Sequence, residues 1–182
     1  MAGHSFAAAS HTGNNPFLKF VAATSTLAGW FSAAMIFAAV AITCQMIFVR
    51  FVLNQSTIWQ TEAVVYLAVA ATLIGLSYVQ RVRGHVNVDL VPISLASRAR
   101  FILAIFTYSI SVAIVAVMLW YGFEYWYLAW DKGWRSDTIW GVRLWIPYLS
   151  LPVGFGLFLL QLVADLIAVI LKIDKPFGLE DM

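Results

Sequence analysis

Four long apolar runs, separated by short polar stretches, set the pattern of this chain. The runs cover about 21–49, 60–80, 101–128 and 145–171. Each exceeds the ~20 residues a helix needs to cross the hydrocarbon of a bilayer. The first and third are longer than a perpendicular crossing requires, which predicts tilt or a projecting end. Residues 1–18 are small and polar and read as a disordered tail, and 173–182 as a second one. A cleaved secretory signal is the competing reading of the N-terminus. The first run is too long for it and lacks a small-residue cleavage site. The pattern predicts an all-α integral membrane protein with four transmembrane helices.

The polar stretch between the second and third runs fixes the expected orientation. It opens with Arg81 and Arg83 and closes with Arg98 and Arg100. With an even number of spans, both tails share a side with this connector. That side collects Lys19, Arg81, Arg83, Arg98, Arg100, Lys172 and Lys175, against Arg50, Lys132, Arg135 and Arg143 on the other. Lys and Arg in short loops accumulate on the cytoplasmic side, so both termini are expected there. Within the connector His85, Asn87 and Asp89 alternate with Val86, Val88 and Leu90, which suits a short interfacial segment. Gly84 is expected to break the second helix, and Pro92 to start a short surface helix running to Arg100.

Composition agrees with the pattern. The chain has 182 residues, 62% hydrophobic and 11% charged, with mean hydropathy +0.85; soluble domains carry about 25% charged residues. A net charge of +2, spread over helix ends, gives no basis for nucleic-acid binding. A single cysteine, Cys44, excludes a disulfide framework and a thiolate metal site. Its histidines, His4, His11 and His85, all fall outside the runs, which argues against a haem-carrying bundle. His85 near Asp89 gives too few ligands for a metal site. No nucleophile–base pair, phosphate loop or cofactor fingerprint is visible, so neither enzyme activity nor a cofactor is expected.

Polar residues inside the runs are the next signal, because lipid offers them no hydrogen bonds. Glu62, Tyr66, Leu73, Ser77 and Arg81 fall near one face of the second run. Gln161, Asp165 and Lys172 do so in the fourth, Thr107, Ser111 and Glu124 in the third, and Thr43, Met46 and Arg50 in the first. Glu62 and Asp165 lie close to span ends, and are expected to pair with cations on neighbouring helices and fix the packing. An ion-relay role is the alternative. Small residues (Ala68, Ala71, Thr72 and Gly75 in the second run, Gly154 and Gly156 in the fourth) predict close helix approach. Six of the eight tryptophans lie between 120 and 145. With Tyr121, Tyr125, Tyr127 and Tyr148 they predict an aromatic belt on the outer side.

These features together resemble the small, DctQ-like membrane subunit of tripartite ATP-independent periplasmic (TRAP) transporters. The residues that carry the resemblance are Trp59 and Glu62 opening the second span, Gly75 late in it, and the run from Arg81 through Gly84, His85, Val86, Val88 and Asp89. The short outer loop with Ser136, and Trp145-Ile146-Pro147 followed by Pro152, Gly154 and Gly156, complete it. The resemblance implies a non-catalytic scaffold in a bacterial inner membrane. Its partners would be a large membrane subunit and a periplasmic substrate-binding protein, in sodium-driven uptake of organic acids such as C4-dicarboxylates. Assembly candidates are then Trp59, Glu62, Arg81, Gly84, His85, Asp89, Gln161 and Asp165. Docking candidates for the binding protein are Trp126, Trp130, Trp134, Arg135, Trp140 and Arg143. A rival reading is an autonomous four-helix transporter acting as a homodimer. It would want a deep acid in the first span, which has no charge between Lys19 and Arg50.

Overall fold

A computed structural model of the chain describes residues 15–84 and 96–173. The described residues form helices α1 (Pro16–Phe51), α2 (Gln60–Arg81), α3 (Ser97–Asp131), the single turn α4 (Trp145–Tyr148) and α5 (Ser150–Ile170). The α4 turn and α5 form one stretch, so four helical segments are long and apolar enough to cross a membrane. His85 and Asp89, with the expected interfacial segment, lie outside the described residues.

Helix α1 begins at Pro16, ahead of the expected boundary at 21, because proline suits the first helical position and Asn15 precedes it as N-cap. Its first turns belong to the core: Leu18 and Val21 pack with Ala164 and Ala168 of α5. Buried positions along α1 are Leu18, Val21, Ala22, Ser25, Ala28, Ser32 and Ala39, a stripe of mostly small residues at helical spacing. This stripe lets α1 lie against α2 over much of its length and touch α5 near its start.

Helices α2 and α5 pair at the centre, with α1 on one flank and α3 on the other. Glycines set these distances. A Cβ on Gly154 would stand 2.8 Å from the backbone of Leu73, and one on Gly75 would stand 2.8 Å from Ser32 Oγ. On α2, Ala71 and Gly75 face the bundle as expected, whereas Ala68 and Thr72 are exposed. A helix turns about 100° per residue, so of these four only 71 and 75 lie on the buried edge.

Helix ends depart from the expectation in an informative way. Arg83, not Gly84, takes the left-handed conformation after α2 (φ 51°). Gly84 N–H then reaches Val79 O at 2.8 Å and Arg83 N–H reaches Gln80 O at 3.0 Å, the paired bonds of a Schellman cap. Lys172 plays the same part after α5 (φ 54°), with Ile173 N–H on Ala168 O at 2.9 Å. Arg98 and Arg100 belong to α3 itself, which starts at Ser97, and not to a separate surface helix.

Pro147 and Pro152 shape the fourth segment. Each lacks an N–H, so the carbonyls one turn earlier lose their helical donor there. Pro147 lies in the one-turn α4, where Ile146 N–H takes up the Arg143 carbonyl at 3.1 Å and the Pro147 carbonyl accepts the Ser150 hydroxyl at 2.7 Å. The loop before it, 132–144, folds back on itself through an antiparallel bridge between Arg135 and Arg143. Gly133 and Gly141 supply the positive φ values (60° and 59°) at its bends. The bundle thus has a hairpin end, with 132–144 and the start of α2, and a tail end, where α2 and α5 finish and α1 begins.

Candidate functional site

Two polar clusters, one at each end of the α2–α5 pair, and an aromatic rim hold nearly all the residues singled out from the sequence.

The tail-end cluster is buried. Ser25 of α1 donates to Gln161 Oε1 at 2.7 Å, and Gln161 Nε2 donates to Asp165 Oδ1 at 2.7 Å. Gln80 of α2 donates to Asp165 Oδ2 at 2.9 Å. Three helices are joined through one carboxylate. Gln161 and Asp165 are 3% and 7% exposed, so water contributes little and each amide depends on its partner. Gln161 meets Asp165 because residues four apart share a helix face. Arg81 closes the cluster: its Nη1 donates to Ala22 O at 2.9 Å and to Thr26 Oγ1. Its Nε is buried with no hydrogen-bond partner among the described residues.

The hairpin-end cluster is half open. Glu62, in the first turn of α2, accepts the Tyr66 hydroxyl at 2.5 Å and the Thr138 hydroxyl at 2.6 Å. The expected cation partner is replaced by two hydroxyls, one on the same helix and one on the hairpin. A carboxylate in the first helical turn is also favoured by the helix dipole. Trp59, the N-cap of α2, lies against Trp140 of the hairpin with ring centroids 6.1 Å apart. Trp59, Glu62, Thr138 and Trp140 thus fasten the hairpin to α2 at two points.

The aromatic rim joins α3 to α4. Trp126 Nε1 donates to Trp145 O at 3.1 Å, which also ties the helix start to its neighbour. Trp130 stands edge-on to Trp145 at 4.6 Å, Tyr125 edge-on to Trp134 at 5.7 Å, and Tyr125 tilts against Tyr148 at 5.1 Å. Such pairs contribute about 0.5–1.5 kcal/mol each beyond burial. Trp130 and Trp140 remain 53% and 42% exposed, so the rim keeps a free outer surface.

The docking candidates therefore divide into two groups. Trp126 and Trp130 sit on α3, and Trp134, Arg135, Trp140 and Arg143 on the hairpin, with Trp134 packed back on Tyr125 of α3. The structure brings Glu62 and Trp59 to the hairpin, although the sequence reading placed them among assembly residues. Gly84 lies exposed at the end of the α2 cap. Thr107 and Glu124 of α3 are exposed, and Thr43 spends its hydroxyl on its own helix at Ala39 O.

Several partners were missed. Ser25, Thr26 and Gln80 complete the tail-end cluster, and Ser32 donates to Ala71 O at 2.7 Å across α1 and α2. The signal for Ser25 and Ser32 was their seven-residue spacing among Ala22, Ala28 and Ala39, which marks one small-residue face. Among the described residues no group of three or more His, Cys, Asp or Glu could hold a metal ion.

This arrangement, four membrane-length helices with buried polar side chains joining them, is that of a multi-pass helical membrane protein. The profile of the DctQ component of tripartite ATP-independent periplasmic transporters matches residues 39–172. The chain belongs to that family, and is a small TRAP transporter component. No curated protein matches it closely enough to add to that assignment.

Proposed function

We propose that this chain is the small permease subunit of a sodium-driven TRAP uptake system for organic acids, C4-dicarboxylates among them. It sits in the inner membrane of a bacterium with both termini cytoplasmic. It acts as a non-catalytic scaffold, associating with the large membrane subunit and helping to dock the periplasmic substrate-binding protein. Family membership supports the setting. The observation that carries the scaffold role is how the polar side chains are used: Ser25, Ser32, Gln80, Gln161 and Asp165 bridge helices, and Glu62 fastens a loop. Wide apolar flanks of α1 and α3, such as Trp30, Phe37, Ile102 and Trp120 at 67–77% exposure, remain for lipid and for a membrane partner. The basic residues at the tail end support this sidedness.

Co-expression with the large membrane subunit tests the proposal. A stable one-to-one complex in mild detergent that transports in liposomes only when the soluble component is added is the expected result. A homodimer of this chain that transports alone would establish the autonomous-transporter reading instead.

A further inference from the structure

The hairpin 132–144 combines two features that a passive connector does not need. The first is its fastening. Glu62 reaches out of α2 to Thr138 while Tyr66, one turn further on, braces the same carboxylate from behind. Within the hairpin Ser136 and Thr138 hydroxyls are 3.1 Å apart, and Gly141 N–H closes a turn onto Thr138 O at 3.0 Å. Thr138 is therefore the polar one of the two points at which the hairpin is tied to the bundle, Trp140 against Trp59 being the other.

The second feature is what the hairpin displays. Ser136 N–H bonds to Val142 O at 2.9 Å and Leu144 N–H to Trp134 O at 3.0 Å, on either side of the Arg135–Arg143 pair. This is the non-hydrogen-bonded register, in which opposed side chains lie closest. Two like charges directly opposite each other destabilise a strand pair. Both arginines are exposed, and neither has a carboxylate partner among the described residues. At the tip of the same hairpin Ile139 is 87% exposed, the most exposed of the large hydrophobic residues in the described chain. A hairpin tied at two points holds an unfavourable pair of cations and a bare isoleucine outward.

We propose that Glu62 is a positioning residue that latches the hairpin to α2, and that the latched hairpin presents Arg135 and Arg143 to an acidic patch on the soluble component. This deepens the TRAP reading and rests on it for the identity of the partner. Charge complementarity selects the partner's chemistry, because a carboxylate placed between the two guanidiniums removes the repulsion and gains forked hydrogen bonds. Ile139 supplies an apolar contact at the hairpin tip. Glu62 acts through the hairpin hydroxyls it holds, Thr138 with Ser136 beside it.

The test uses the assembled two-subunit membrane complex in lipid nanodiscs, with Cys44→Ser and a spin label on Ile139→Cys. Label mobility is read without any partner. Binding of the separately purified soluble component is read at low and high salt on unlabelled complex. Thr138→Val and Glu62→Ala are expected to raise label mobility while the two membrane subunits still co-purify, and to weaken binding about tenfold. Arg135→Ala with Arg143→Ala is expected to leave mobility unchanged, weaken binding by at least that factor, and abolish its salt dependence. Unchanged mobility in both Thr138→Val and Glu62→Ala overturns the latch. Raised mobility with undiminished binding, or salt-independent binding in the wild type, overturns the docking role. A wild-type complex that binds no soluble component overturns the docking role together with the transporter reading, and leaves the mobility result to decide the latch.

Discussion

Glu62 and Asp165 are both acids near the end of a central helix, and they do different work because their surroundings differ. Asp165 is 7% exposed and takes amide donors from Gln80 and Gln161, so it joins α2 and α5 and, through Gln161, α1. Glu62 is half-buried at the rim and takes hydroxyls from Tyr66 and Thr138, so it joins a helix to a loop. A buried donor that loses its acceptor has no water to turn to, whereas a rim hydroxyl is resolvated at once. The inner acid is a matter of fold, and the outer one of where a loop stands.

The largest effect is expected from Asp165→Ala, which strands the buried Gln161 amide and the half-buried Gln80 amide. At about 1 kcal/mol or more for each lost bond, the loss should be about 2–3 kcal/mol, read as a lower unfolding midpoint of the purified protein in detergent. Asp165→Asn should recover only part of it, since one oxygen becomes a donor facing donors. A loss no larger than that of Glu62→Ala would erase the distinction between the two acids.

Gly154→Ala comes next, at about 1–2 kcal/mol. Its Cβ would meet the Leu73 backbone at 2.8 Å, which cannot rotate away, so α2 and α5 must separate. That separation also stretches the Gln80–Asp165 bond. Gly154→Ala and Asp165→Ala should therefore lose less together than the sum of the two, in a double-mutant cycle on the same midpoint.

Gly75→Ala should cost about 1 kcal/mol, because the new methyl meets Ser32 Oγ at 2.8 Å and displaces its bond to Ala71 O. In a Ser32→Ala background the loss should shrink, since the obstructing oxygen is gone. Equal losses in both backgrounds would show that α1 does not lie where Ser32 reaches Ala71. The smallest effect on stability is expected from Glu62→Ala, within about 0.5 kcal/mol, as for other partly exposed sites; its consequence belongs to the hairpin.

The contrast between the two ends also explains what the sequence could disclose. Run length alone reveals four spans, because a bilayer imposes a minimum on each. The tryptophan cluster likewise reveals an aromatic rim. Glu62 and Asp165 could be singled out as costly intramembrane acids, but their partners lie 76 and 85 residues away in Thr138 and Gln80. Helical periodicity places a residue on a face and says nothing of which helix that face meets. Gln80 stood beside Arg81 and was hidden by its charge, and Ser25 lay in a first run where only Thr43, Met46 and Arg50 stood out. The Arg83 cap was hidden for another reason: glycine is the usual left-handed residue, so Gly84 drew attention one position too late.

The division of labour between the two acids is tested most directly by hydrogen exchange on the assembled complex, comparing wild type with Asp165→Ala and Glu62→Ala. The structure predicts that Asp165→Ala speeds exchange in the tail-end turns of α1, α2 and α5 together and leaves 132–144 as in the wild type. Glu62→Ala should speed exchange in 132–144 and the first turn of α2 alone. Faster exchange of the helical core in Glu62→Ala, or of the hairpin alone in Asp165→Ala, would contradict the account.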